Sequence, residues 1–323
     1  MEGSPLAEGD IFVEEYILET NGISKKYGSV MALDHVDLRL QRGEIYGLIG
    51  RNGAGKTTLL KILAGLARPT EGSFTIFGES PEKSKTLRDR IGILLETPGL
   101  YPNMNAWENM KLKELTLGMN DSAYVRELLE DVGLSIKDKR PVKKYSMGMK
   151  QRLGIAMSLV GHPDLLLLDE PINGIDPQGI VEIRDLIGRL SKERNISVII
   201  SSHILEEMSK LANRYGILDH GHMIDTFSHQ ELLRRCRERI ELRTSDPVKA
   251  CMVIEKMGIT EFKIMDGSLI QIYERLDGSG DIVLELAKNN IKTLGIEVKN
   301  EALEDYYLSL TSERNTGKNQ GAK

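Results

Sequence analysis

Apolar positions along this chain change rhythm, and the rhythm predicts the elements. Residues 17–23 and 36–40 alternate apolar and polar side chains, as half-buried strands do. Residues 45–49 and 165–168 are unbroken apolar runs, the pattern of strands covered on both faces. Residues 197–200 and 215–218 predict two further strands, the first of them buried. After the turn Pro69-Thr70-Glu71-Gly72, Phe74, Ile76 and Phe77 predict a further short strand. Helical spacing takes over at 57–66 (Leu59, Leu60, Ile62, Leu63), at 181–190 and at 204–212. From Thr97 to about Val160 the pattern is mainly helical, with loops at Pro98-Gly99, at Gly118 and over 138–141. This alternation predicts an α/β domain over 16–230, a mixed-sheet core with a helical subdomain at about 97–160.

The last ninety or so residues have another plan. A strand at 239–243 is followed by Asp246-Pro247, a helix start with proline in the first helical position. Residues 261–265 and 268–273 flank Asp266-Gly267, a strong hairpin signal. A helix at 281–289, a strand at 295–298 and a helix at 302–310 complete a β-α-β-β-α-β-α order. That order is compatible with a ferredoxin-like split βαβ unit, a small α+β accessory domain over 231–311. Residues 1–15 are expected to be a loose leader, and the polar stretch 312–323 to be disordered. There is no internal repeat.

Composition narrows the class. With 323 residues, 40% hydrophobic and 28% charged, the chain is an ordinary globular sequence whose length suggests two domains. A net charge of −5 gives no general basic field, so no nucleic acid partner is expected. Two cysteines, Cys236 and Cys251, make no disulfide framework and point to a reducing compartment. No apolar stretch approaches the roughly 18 residues of a membrane span. The acidic first 15 residues lack a signal pattern. A cytoplasmic protein is expected, touching the membrane only through a partner.

The densest chemistry is Gly50-Arg51-Asn52-Gly53-Ala54-Gly55-Lys56-Thr57-Thr58, which fits G-x-x-x-x-G-K-[ST] between a predicted strand and a predicted helix. Glycines let the backbone curl so that N–H groups point inward, and the helix adds the positive end of its dipole. Such a loop cradles the phosphates of ATP. Lys56 would reach the β- and γ-phosphates, and Thr57 would offer its hydroxyl to Mg²⁺. The run Leu165-Leu166-Leu167-Leu168 ends in Asp169-Glu170. Side chains alternate along a strand, so the two carboxylates diverge. Asp169 is then a candidate for Mg²⁺, and Glu170 for polarising the attacking water.

Tyr145-Ser146-Met147-Gly148-Met149-Lys150-Gln151-Arg152 opens an apolar-periodic helix at Ser146, where a hydroxyl and backbone donors such as that of Met149 could meet a phosphate. With the two motifs above, this segment resembles the ATP-binding cassette (ABC) ATPases. It is similar to their LSGGQ signature at Ser146 and Gly148 and departs from it at Tyr145, Met147 and Met149. The resemblance covers about residues 16 to 230. It implies that Tyr27 stacks on adenine, that Asn173-Gly174-Ile175-Asp176-Pro177 is the D-loop, and that His203 is the switch histidine that touches the γ-phosphate. Glu96 stands where the family normally has the Q-loop glutamine. With Thr97-Pro98-Gly99-Leu100-Tyr101-Pro102 behind it, Glu96 resembles the bacterial subgroup that exports bacitracin-type and lantibiotic peptides. A glutamate there is a further candidate for Mg²⁺, or for recruiting a basic partner residue.

The resemblance implies a head-to-tail, ATP-dependent homodimer. ATP lies between Gly50 to Thr58 of one protomer and Ser146 to Gly148 of the other. It also implies an integral-membrane permease, reached through the segment 97–160. Lys56, Glu170 and His203 would carry the hydrolysis. The alternative is a soluble ABC ATPase acting on ribosomes or DNA. The single cassette and the short interval between Lys56 and Ser146 argue against it.

Overall fold

A computed structural model describes residues 16–82, 84, 86–96, 98–235, 238–265, 268–299 and 306. The chain divides into two units, Met1–Phe227 and Ser228–Lys323. In the first, β1 (Tyr16–Tyr27), β2 (Val30–Val36) and β3 (Arg39–Gln41) lead into β4 (Ile45–Ile49). Helix α1 (Lys56–Leu63), β5 (Glu71–Ile76) and β6 (Ile91–Leu94) follow. The helices α2 (Ala106–Thr116), α3 (Ser122–Asp131) and α4 (Met147–Leu159) make the helical stretch. Then come β7 (Leu165–Asp169), α5 (Pro177–Arg194), β8 (Ser197–Ser202), α6 (Leu205–Ser209), β9 (Arg214–Asp219) and β10 (His222–Ser228).

Among the described residues these strands form two sheets. One is six-stranded, in the order β10-β9-β4-β8-β7-β6, with β6 through β9 and β4 running parallel. Every residue of β4, β7 and β8 is buried, as their continuous apolar runs require. The other sheet is antiparallel, with β1 pairing β2, β3 and β5. Helix α1 buries Leu59, Leu60, Ile62 and Leu63 in the core shared with Leu18, Leu40 and Ile76 of the antiparallel sheet and Leu48, Leu165 and Ile199 of the parallel one. Each such side chain contributes about 1.5–3 kcal/mol on burial.

Local chemistry sets the helix ends. Asn105 and Glu108 form a reciprocal capping box at α2. Asp121 caps α3, Ser146 caps α4, and Pro177 opens α5. Helix α5 ends on Asn195 in the left-handed conformation.

Three of the elements that differ from the expectations show why. The strand at 36–40 is broken between β2 and β3. The Thr20 hydroxyl donates to Val36 O at 3.1 Å and accepts from Leu38 N at 2.7 Å, and the Asp37 carboxylate accepts from Gly22 N at 2.7 Å. Side chains there replace the ladder. The helix at 204–212 is cut to α6, because the Ser209 hydroxyl takes Glu206 O and the Tyr215 hydroxyl takes Ala212 O. Strand β10 gave no sequence signal, since only Phe227 in it is buried.

The second unit holds α7 (His229–Arg235), β11 (Arg239–Thr244), α8 (Pro247–Lys256), β12 (Phe262–Ile264), β13 (Leu269–Ile272), α9 (Ser279–Lys288) and β14 (Thr293–Lys299). Its sheet runs β12-β13-β11-β14 with every pair antiparallel, the connectivity of a split βαβ unit. Ile240, Leu242, Ile254, Ile270, Ile272, Ile282 and Leu286 form a core of their own. Asp246 caps α8 by accepting from Lys249 N at 3.1 Å. The Asp266-Gly267 turn, the leader at 1–15, the tail at 312–323 and, apart from Tyr306, the helix expected at 302–310 lie outside the described residues. No helix among the described residues is long and apolar enough to cross a membrane.

Candidate active site

Strand β4 delivers the chain to Gly50, where a side chain has no room: a Cβ would lie 2.4 Å from the carbonyl oxygen of Leu218. Gly55 ends the loop at φ 112° and caps α1, and a Cβ there would sit 2.6 Å from Ala32 O. Between them Arg51, Asn52 and Gly53 are exposed and Ala54 is buried. Lys56, Thr57 and Thr58 form the first turn of α1. The Lys56 side chain folds back over the loop. Its Nζ donates to Gly50 O at 2.5 Å and to Arg51 O at 3.3 Å.

The two carboxylates diverge. Asp169 closes β7 and is 1% exposed; its Oδ2 accepts from the Thr57 hydroxyl at 2.6 Å, and its Oδ1 from the Ser201 hydroxyl. Glu170 leaves the strand at φ 48°, a left-handed conformation uncommon for a non-glycine residue. Its N–H is held by both the carbonyl (3.2 Å) and the hydroxyl (3.0 Å) of Ser201. The Glu170 carboxylate thereby faces Lys56 Nζ at 3.1 Å through Oε1 and His203 Nδ1 at 2.8 Å through Oε2. Oε1 is within ion-pair range of the ammonium but makes no hydrogen bond among the described residues. Lys56, Thr57, Asp169, Glu170 and His203 thus meet in one network.

Ser201 was not singled out as a site residue by the sequence, yet it ties the two acids together. Its signal in the sequence is the run Ser201-Ser202-His203 followed by Glu206-Glu207, which resembles the family pattern around the switch histidine.

Ser146, Gly148 and Met149 do not join that network. Ser146 is exposed at the start of α4, and its hydroxyl accepts from Met149 N at 3.2 Å. A Cβ on Gly148 would touch Ile175, in the loop that follows the paired acids, at 3.4 Å. Tyr145 is buried behind this helix start, with the Arg140 guanidinium 5.7 Å from its ring. Arg140 also forks onto Asp138, through Nε at 3.0 Å and Nη2 at 2.7 Å. That guanidinium holds the Asp138 carboxyl down at about 2.

Tyr27 ends β1 and is half exposed, with Lys25 Nζ 4.9 Å from its ring centre. Glu96 sits just past β6 at φ 53°. Its carboxylate, 65% exposed, pairs with Lys61 Nζ on α1 at 3.3 Å. The structure joins Glu96 to Lys61 of the P-loop helix rather than to the Thr57–Asp169 pair; the sequence allowed a basic partner but did not identify this one. Among the described residues no group of three or more metal-binding side chains converges.

A glycine-cradled loop at the head of a helix, a lysine folded over it, and a buried aspartate and a glutamate at the adjoining strand end define a P-loop nucleotide hydrolase. A model of the ABC transporter family matches residues 33–173. Over 91% of this chain and 97% of its own length, the bacitracin transport ATP-binding protein BcrA of Bacillus licheniformis is 41% identical. The lantibiotic transport ATP-binding protein SrtF of Streptococcus pyogenes is 46% identical over 64% of this chain and 89% of its own. Among solved structures, cbiO1 of Clostridium perfringens, part of the ABC transporter complex cbiONQ, matches 68% of this chain and 92% of its own at 27% identity and a TM-score of 0.62. A dimeric ATP-binding cassette in a post-hydrolysis state with ADP and Pi shares the fold, at a TM-score of 0.60 and 24% identity. The chain belongs to the ABC transporter family. It is an ATP-binding and ATP-hydrolysing transport subunit.

Proposed function

We propose that this subunit energises a bacterial exporter that removes an antimicrobial peptide or similar amphiphile, as self-protection or resistance. One observation carries the reading: the likeness to a bacitracin transport protein runs through both units of the chain, not the cassette alone. Glu96 in place of the family's glutamine agrees with it.

In this reading ATP lays its phosphates in the loop from Gly50 to Thr58, and Tyr27 stacks on adenine. Lys56 exchanges Glu170 for the β- and γ-phosphates. Glu170, released on one side and oriented on the other by His203, accepts the proton of the attacking water. His203 then has the γ-phosphate within reach. Ser201 keeps Asp169 in place throughout. The Thr57 hydroxyl and the Asp169 carboxylate, 2.6 Å apart, are hard oxygen donors and fit Mg²⁺, with Glu96 as a further candidate. When bound, that ion neutralises phosphate charge.

Ser146, Gly148 and the N–H of Met149 complete the site of a second copy, so the working form is an ATP-dependent homodimer. The exposure of Ser146 at a helix start supports this arrangement. A groove of about 550 Å³ between β6, α2 and α4, lined by Leu94, Pro98, Tyr101, Leu117 and Gly154, suits the permease. The subunit then lies at the inner face of the cell membrane and touches it through the permease alone.

The test is protection. Expressed with its cognate permease in a sensitive host, the wild type should raise the inhibitory concentration of bacitracin or a lantibiotic, and Glu170→Gln should not. No protection against a panel of such peptides would remove the cargo assignment.

A further inference from the structure

Lys25 is anchored at two points. Its Nζ donates to Arg68 O at 2.7 Å, and the same ammonium lies 4.9 Å from the centre of the Tyr27 ring. Arg68 belongs to the turn that follows α1, the helix that begins at Lys56. That turn is stitched to β1 twice more. Lys26 N donates to the Thr70 hydroxyl at 3.0 Å, and Thr70 N donates to Ser24 O at 2.8 Å. Tyr27 itself is only half covered and sits at the last residue of β1, beside the turn at Gly28. A ring in that position keeps rotamer freedom that must be lost when a base stacks on it.

We propose that Lys25 is a positioning residue for nucleotide binding. It braces one face of Tyr27 by a cation–π contact, leaves the opposite face for adenine, and fixes the ring relative to the P-loop helix through Arg68 O. The proposal rests on the reading of Tyr27 as the adenine platform. A braced ring enters the complex with its conformation already chosen, so the gain appears in affinity and not in the chemical step. An exposed cation–π contact corresponds to about a two- to five-fold change in an equilibrium constant.

The experiment compares ATP dissociation constants and steady-state turnover for the wild type, Lys25→Met, Lys25→Arg, Tyr27→Ala and Tyr27→Ala with Lys25→Met. Inorganic tripolyphosphate serves as a competitor without a base. Lys25→Met should weaken ATP about two- to five-fold and raise KM with kcat held, while Lys25→Arg restores affinity. Tripolyphosphate binding should be untouched. In the Tyr27→Ala background Lys25→Met should cost nothing further. Normal ATP affinity in Lys25→Met beside a weakened Tyr27→Ala overturns the brace alone. So does an equal loss with and without Tyr27, or an equal loss for tripolyphosphate. Normal ATP affinity in Tyr27→Ala overturns the adenine platform and the brace with it.

Discussion

The Glu170 carboxylate lies 3.1 Å from the Lys56 ammonium, and both groups are largely buried. In the proposed function this acid activates water and this cation holds phosphate, so ATP would have to part them, with His203, 2.8 Å from the other oxygen, keeping Glu170 in place.

Glu170→Gln should leave ATP binding intact and lower turnover by about 10²- to 10⁴-fold, the usual worth of a general base. Phosphate release beside equilibrium nucleotide binding measures this. Normal turnover would remove Glu170 from its role.

Two glycines of the loop and a third outside it should rank by geometry. Gly50→Ala forces a Cβ to 2.4 Å from Leu218 O, a backbone atom that cannot swing aside, and should cost about 1–3 kcal/mol and most ATP binding. Gly53→Ala meets nothing but keeps φ at +82°, and should cost about 1 kcal/mol. Gly99→Ala has neither problem and should stay within about 0.5 kcal/mol of the wild type. Denaturant unfolding gives the order, and an inverted order contradicts the packing around Gly50.

Glu96→Gln separates two roles for that carboxylate. Its exposed pairing with Lys61 is worth no more than about 1 kcal/mol, so the melting temperature should barely move. If Glu96 also serves Mg²⁺, the variant needs several-fold more Mg²⁺ for half-maximal turnover. An unchanged magnesium titration would strike Glu96 from the metal candidates.

Asp138 should titrate near 2, because Arg140 favours its charged form. A carboxylate depressed by folding binds fewer protons folded than unfolded. Its contribution is therefore complete above the ordinary carboxylate range and fades as pH falls from about 4 towards 2. A carbon-detected NMR titration reads the midpoint directly, and Arg140→Ala should carry it back towards the normal value. A midpoint that ignores Arg140→Ala would show that the fork is not what depresses Asp138.

Much of this protein was legible in one dimension. The loop from Gly50 to Thr58, the apolar run into Asp169-Glu170 and the capped helix at Ser146 each carry their chemistry in consecutive residues, because phosphate cradles and helix caps are built from local backbone. The apolar runs of strands β4, β7 and β8 were equally plain, since burial on both faces favours apolar residues in succession. What needed the tertiary structure were relationships between distant segments: Ser201 joining both acids, Lys61 meeting Glu96, Thr20 and Asp37 breaking a strand, Lys25 reaching Arg68. Each depends on which strand lies beside which. Periodicity fixes the face of a side chain but not its neighbour across the sheet, and that choice belongs to the packing of the whole unit.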